Sequence, residues 1–241
     1  MTDSPAPEIL RFEHRSDLFD SAAKKLLALT RPASPGRPFT LALAGGTTPR
    51  GFYERMAAVD LRGKFPWHAI HFFWGDERWV AHEDPRSNYR MAKESLLDPS
   101  HLDKKLVHPV PTRLESPQAS ARAYEKELSE FFKTPPATFP VFDLILLGLG
   151  EDGHTASLFP GDPALLEEKH AVTVSAAGTS EPRVTLTLPV LNLARNIFFL
   201  VCGANKRKVA AAVLEESAGP LALPAQRVRP VSGKIVWFIS D

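Results

Sequence analysis

The sequence predicts an α/β fold, a mostly parallel sheet flanked by helices, and two observations carry that expectation. Four times an apolar run of strand length stops at glycine, crosses a polar or charged cluster and enters a helical pattern, near Gly45, Gly75, Gly148 and Gly203. Runs such as Leu144 to Leu147 are unbroken rather than alternating, the pattern of strands buried on both faces. Strands that alternate with helices pair in parallel, so the four turns are expected along one edge of the sheet. Open α/β sheets bind ligands there, and residues far apart in sequence would then share one crevice.

The bulk properties narrow the function. With 241 residues the chain is long enough for one sizeable core, and a single α/β domain over 1–241 is expected. The 29 basic and 28 acidic residues nearly cancel, which leaves no footprint for nucleic acid or an anionic membrane. Cys202, the only cysteine, follows an apolar run and reads as an inert buried thiol. The polar, acidic start lacks the pattern of a signal peptide, and no apolar segment approaches the roughly 20 residues that span a bilayer. A soluble, cytoplasmic protein with no obligate protein partner is the expectation.

The elements follow in order. Glu8 to Phe12 reads as a short strand. Ser16 to Leu29 repeats Leu18, Phe19, Ala22, Ala23, Leu26 and Leu27 at the spacing of an amphipathic helix, which the proline-rich segment Arg31 to Pro38 ends. Phe39 to Ala44 is a buried strand, and Gly45-Gly46-Thr47-Thr48-Pro49 opens a helix with Phe52 and Met56 inward. Ile70 to Trp74 is a strand leading into a charged turn, after which Ser87 or Asn88 caps a helix through Leu97. Leu106 to Val110 is a weak strand, and Ser116 to Phe132 a helix with Tyr124 and Leu128 on its apolar side. Thr134 to Pro140 is a connector. Strands are expected at Ala171 to Val174, Arg183 to Leu188, Ile197 to Val201 and Ile235 to Ile239, with Val209 and Val213 on the inner face of a helix after Lys206.

The clusters at the strand ends carry the chemistry. Gly45-Gly46-Thr47-Thr48 offers backbone N–H groups, two hydroxyls and a helix start, the arrangement that accepts a phosphate. A plain turn with a threonine cap uses the same letters, and neither a Walker lysine nor GxGxxG spacing is present. Arg78 can fork onto a phosphate or carboxylate while Asp76 holds its orientation, although an isolated Asp-Glu-Arg is more often a solvated loop. His154 can take and return a proton near neutral pH, and Asp152, two residues earlier, can orient the ring. Lys206 stands at a helix start, which disfavours a cation unless an anion binds there. Arg183, entering an alternating strand, is ambiguous between surface and site. There is no HExxH, no paired CxxC and no GxSxG, so no metal, cofactor or nucleophilic serine is expected.

Taken together these segments resemble the 6-phosphogluconolactonase family. AGGTTPRGFY (Ala44 to Tyr53), FFWGDERWV (Phe72 to Val80), SNYRMAKESLL (Ser87 to Leu97), GLGEDGHTASLFPG (Gly148 to Gly161), PRVTLTLPVLN (Pro182 to Asn192) and GANK (Gly203 to Lys206) occur in the family's order. The resemblance implies a Rossmann-like fold of the ribose-5-phosphate isomerase and glucosamine-6-phosphate deaminase type. It implies cofactor-free hydrolysis of a sugar-phosphate lactone, 6-phospho-D-glucono-1,5-lactone, in the oxidative pentose phosphate pathway. By motif match His154 would be the general base, with Arg78, Lys206 and Gly45-Gly46-Thr47-Thr48 on the phosphate and Arg183 in the same pocket. The related aminosugar-phosphate deaminases share the glycine turn and the Asp-Gly-His, but carry a glutamate where this chain has Phe159. A non-catalytic sugar-phosphate sensor would have no reason to keep Asp152-Gly153-His154.

Overall fold

The structure, a computed structural model, describes residues 6–30, 37–176, 181–215 and 222–241. Most of the proline-rich segment Arg31 to Pro38 therefore lies outside the described residues. In chain order the strands are β1 (Glu8–Phe12), β2 (Phe39–Leu43), β3 (Ile70–Trp74), β4 (Asp76–Arg78), β5 (Leu144–Leu147), β6 (Val172–Ser175), β7 (Arg183–Leu186), β8 (Asn196–Cys202) and β9 (Lys234–Ser240). The α-helices are α1 (Arg15–Thr30), α2 (Thr47–Ala57), α3 (Val59–Arg62), α4 (Asn88–Ala92), α5 (Pro117–Phe132), α6 (Leu188–Leu193) and α7 (Arg207–Leu214).

Six strands form one parallel sheet in the order β1-β9-β8-β5-β2-β3. Its middle strands β2 and β5 are buried at every position, which is why their sequences are unbroken apolar runs. Helices α1 and α2 bury Leu18, Leu26, Phe52, Tyr53 and Met56 in the same core. Because all six strands run the same way, their carboxyl ends share one edge, as the repeated strand, glycine and helix pattern predicts.

The remaining strands form a small antiparallel sheet, β4-β7-β6, which the sequence does not announce. Asp76 to Arg78, expected as a loop, is strand β4: Asp76 pairs with Thr185, Glu77 with Val184 and Arg78 with Arg183. Gly75 joins the two sheets, since its N–H donates to Leu43 and its carbonyl accepts from Leu186, each at 2.8 Å. Leu106 to Val110 is not a strand. Its only ladder contact is a bridge between Val107 and Phe72, following a 3-10 turn at Lys104–Leu106. Strand β7 stops at Leu186, because Leu188 and Pro189 already begin α6. Ser87 rather than Asn88 caps α4, its hydroxyl accepting from the Arg90 N–H, and the continuation over Lys93–Leu97 is π-helical. After Gly203 a 3-10 turn (Ala204–Lys206) precedes α7, which buries Val213 and Ala210 while Val209 is half-buried. Cys202 is half-buried rather than enclosed.

Two tyrosines close the ends of β2 and β3. The Tyr53 hydroxyl accepts from the Ala44 N–H at 2.9 Å and donates to the Ala44 carbonyl at 2.8 Å. Tyr124 does the same for Trp74 at 2.8 and 3.0 Å. Both phenols are fully buried, and burial raises their pKa well above the usual value. Tyr53→Phe leaves a buried donor and a buried acceptor without partners. The expected cost is about 2–6 kcal/mol, from about 1–3 kcal/mol for each of the two orphaned groups, read as a lower urea midpoint at unchanged m-value.

Candidate active site

The carboxyl ends of β2, β5 and β8 meet β4 and β7 around a cavity of about 170 Å³. Gly45, Gly46, Asp76, Arg78, His154, Arg183 and Lys206 all line it, so residues from five separate segments converge as the sheet topology requires. Thr47 and Thr48 do not. They occupy the first turn of α2 and line a neighbouring depression of about 90 Å³ with Arg15 and Cys202. The α2 N-cap is Gly46, at φ 101°, and not a threonine.

After β5 the chain turns tightly, with the Gly150 N–H donating to the His154 carbonyl at 2.9 Å. Asp152 Oδ1 accepts from the His154 backbone N–H at 3.1 Å and meets His154 Nδ1 at 2.5 Å. This fixes the ring and leaves Nε2 as the nitrogen available to a substrate. Partial burial works to raise the Asp152 carboxyl, but the His154 N–H and ring together hold it below the usual carboxylate range. Residue 150 must be glycine here, because a Cβ would stand 2.0 Å from His154 Nδ1 and 2.7 Å from Asp152 Oδ1. Phe159 packs its ring 4.5 Å from that of His154, centroid to centroid, and lies 5.7 Å below the Arg183 guanidinium.

Opposite the histidine the cavity is cationic. Arg78 and Arg183 are direct cross-strand partners, a pairing of like charges that costs energy unless an anion joins them. Arg183 is half-buried, and its Nε has no partner among the described residues. Burial disfavours its charge, and although Asp76 offsets this, Arg78 adds to it. Lys206 Nζ donates to the Leu149 carbonyl. Asp76 is buried, and its Oδ2 accepts from Ser157 Oγ at 2.6 Å.

The chain as a whole is similar to known proteins. A family model described as glucosamine-6-phosphate isomerases/6-phosphogluconolactonase matches residues 13–237. The chain belongs to that family. It is 44% identical over 202 residues, 84% of its own length and 82% of the relative's, to a 6-phosphogluconolactonase of Synechocystis sp.. Among solved structures it is similar to a 6-phosphogluconolactonase from Leishmania guyanensis, with TM-score 0.86, 30% identity, and 98% and 97% of the two chains covered. A monomeric glucosamine-6-phosphate deaminase shares the fold at TM-score 0.79 and 18% identity, covering 97% of each chain.

Two residues that shape the site in this family member escape sequence reasoning. Glu77, on the face of β4 away from the cavity, is 1% exposed. Its carboxylate accepts from the backbone N–H groups of Arg78, Asn88 and Tyr89 at 2.7 to 2.8 Å and from Ser87 Oγ at 3.0 Å. Asn88, read from sequence only as a helix cap, lines the cavity and contacts Arg78. Among the described residues no group of three His, Cys, Asp or Glu side chains could hold a metal, and no helix is long and apolar enough to cross a membrane.

Burial pushes the Glu77 carboxyl up from 4.5 to about 7, against the hydrogen bonds it accepts. A folded value above the unfolded one means the group's stability contribution is complete below pH 4.5 and is lost as pH rises towards 7. The stability difference between wild type and Glu77→Gln should therefore shrink over that window, and a widening difference in denaturation midpoints would contradict it. Glu77→Ala leaves three N–H groups without their acceptor and should cost about 3 kcal/mol or more below pH 4.5, where the contribution of Glu77 is complete.

Proposed function

We propose that this chain hydrolyses 6-phospho-D-glucono-1,5-lactone to 6-phospho-D-gluconate, a step of the oxidative pentose phosphate pathway, acting in the cytoplasm as one catalytic domain over 1–241. The observation that carries this reading is the single cavity in which a carboxylate-held histidine faces two arginines and a lysine. The names of the relatives described above support the substrate class.

In this reading His154 Nε2 takes a proton from water as the water oxygen bonds to the lactone carbonyl carbon. The bond from that carbon to the ring oxygen then breaks, and the imidazolium returns the proton to the departing oxygen. Asp152 holds the tautomer and stabilises the imidazolium that forms between the two steps. Arg78, Arg183, Lys206 and the Gly45-Gly46 turn take the distant phosphate, so its binding energy orients the carbonyl over the histidine. No metal or cofactor takes part in these steps. Phe159 makes the position beside the base apolar, which suits a hydrolysis that needs one proton shuttle rather than a second acid.

The test is acid release from freshly generated lactone, corrected for spontaneous opening, beside ammonia release from glucosamine 6-phosphate. Lactone opening without ammonia is expected, and the reverse would move the chain to deamination. His154→Ala should lower kcat by roughly 10²–10⁴-fold with product affinity kept. Arg78→Ala and Lys206→Ala should mainly raise KM.

A further inference from the structure

An arginine that holds an anion needs a fixed direction and an undiminished charge, and one side chain in the cavity can supply both. Asn88 is 1% exposed and opens α4. Its Oδ1 accepts from Arg78 Nη1 at 2.8 Å, while its Nδ2 donates to the Asp76 carbonyl at 2.9 Å. The two partners assign the ends of the amide, since a guanidinium only donates and a carbonyl only accepts. Its backbone N–H donates to Glu77 Oε1 at 2.7 Å. A Cβ at residue 45 would stand 2.0 to 2.5 Å from the Asn88 side-chain amide, so only glycine at 45 admits it. Asn88 is thereby held by β4, by α4 and by the turn after β2 while it lines the cavity.

We propose that Asn88 is a positioning residue that sets the direction of the Arg78 guanidinium in the anion-binding cavity and, as a neutral amide, leaves its charge free for the ligand. The inference rests on the phosphate-binding role of Arg78 given above. A carboxylate of the same shape would still accept from Arg78, but it would neutralise the guanidinium and set an acceptor against the Asp76 carbonyl. Alanine would release the guanidinium without cancelling its charge. The two substitutions therefore separate direction from charge.

The experiment is calorimetric binding of 6-phosphogluconate to wild type, N88D and N88A at pH 8. N88D should bind roughly tenfold or more weakly, because a carboxylate beside Arg78 stays ionised and neutralises the guanidinium. N88A should show a smaller deficit, roughly threefold. A deficit in N88D no larger than that in N88A, or wild-type affinity in N88D, overturns the proposal. A double-mutant cycle keeps the test decisive if N88D does not fold. In an Arg78→Ala background N88A should cause no further loss, and additive losses overturn the positioning role. A wild type that binds 6-phosphogluconate without opening the lactone refutes the hydrolytic reading and leaves the role of Asn88 standing. A wild type that does not bind it refutes both.

Discussion

A carboxylate almost wholly removed from water must gather hydrogen-bond donors or give up its charge, and Glu77 gathers four. Strand alternation puts it there. Asp76 and Arg78 point to the cavity from one face of β4, so Glu77 points the other way, at the start of α4. The first N–H groups of a helix have no partners within it and its amino terminus is electropositive, so an acid suits that place. One side chain thus docks the helix that carries Asn88 onto the strand that carries Asp76 and Arg78. The position of the guanidinium depends on this buried contact more than on anything at the surface.

The two sheets divide the work between chemistry and recognition. The parallel sheet delivers His154 and Lys206 at its carboxyl edge, each behind a glycine turn. The antiparallel sheet delivers Asp76, Arg78 and Arg183, and its register sets two arginines opposite each other. Gly75 couples the sheets through one hydrogen bond to each, which ties the strands that carry Arg78 and Arg183 to the parallel sheet.

The parallel sheet was legible because burial on both faces writes unbroken apolar runs, and glycines mark where they stop. His154 and Asp152 were legible because their partnership is local, two residues apart on one turn. Strand β4 was not. It is three residues long and entirely charged, and its pairing with β7 depends on residues far along the chain. Glu77 reads as a solvated acid in any pattern based on hydropathy, because its burial follows from the folded position of α4. The side-chain role of Asn88 was hidden for the same reason, since nothing in its neighbours reveals the approach to Gly45. The structure places Thr47 and Thr48 elsewhere than their letters suggest. Their hydroxyls suit a phosphate turn, but the helix begins at Thr47 and places both beside a different depression.

The cavity cations share a feature that sets them apart from many of the protein's other arginines. Outside the cavity, Arg55 forks onto Asp60, Arg86 onto Asp84, and Arg37 pairs with Asp143. Inside it, Arg78 donates to the Arg86 carbonyl and the Asn88 amide, and Lys206 to the Leu149 carbonyl. Neutral acceptors hold a cation in place without cancelling its charge, whereas a carboxylate orients and neutralises together. Asp76, the one carboxylate on the cavity wall among the described residues, has an oxygen already engaged by Ser157. A site for a dianionic phosphate, as proposed above, would need its positive charge uncommitted before the ligand arrives. Carbonyl and amide partners provide that, and the like-charged pairing of Arg78 with Arg183 is the strain that an incoming anion would relieve.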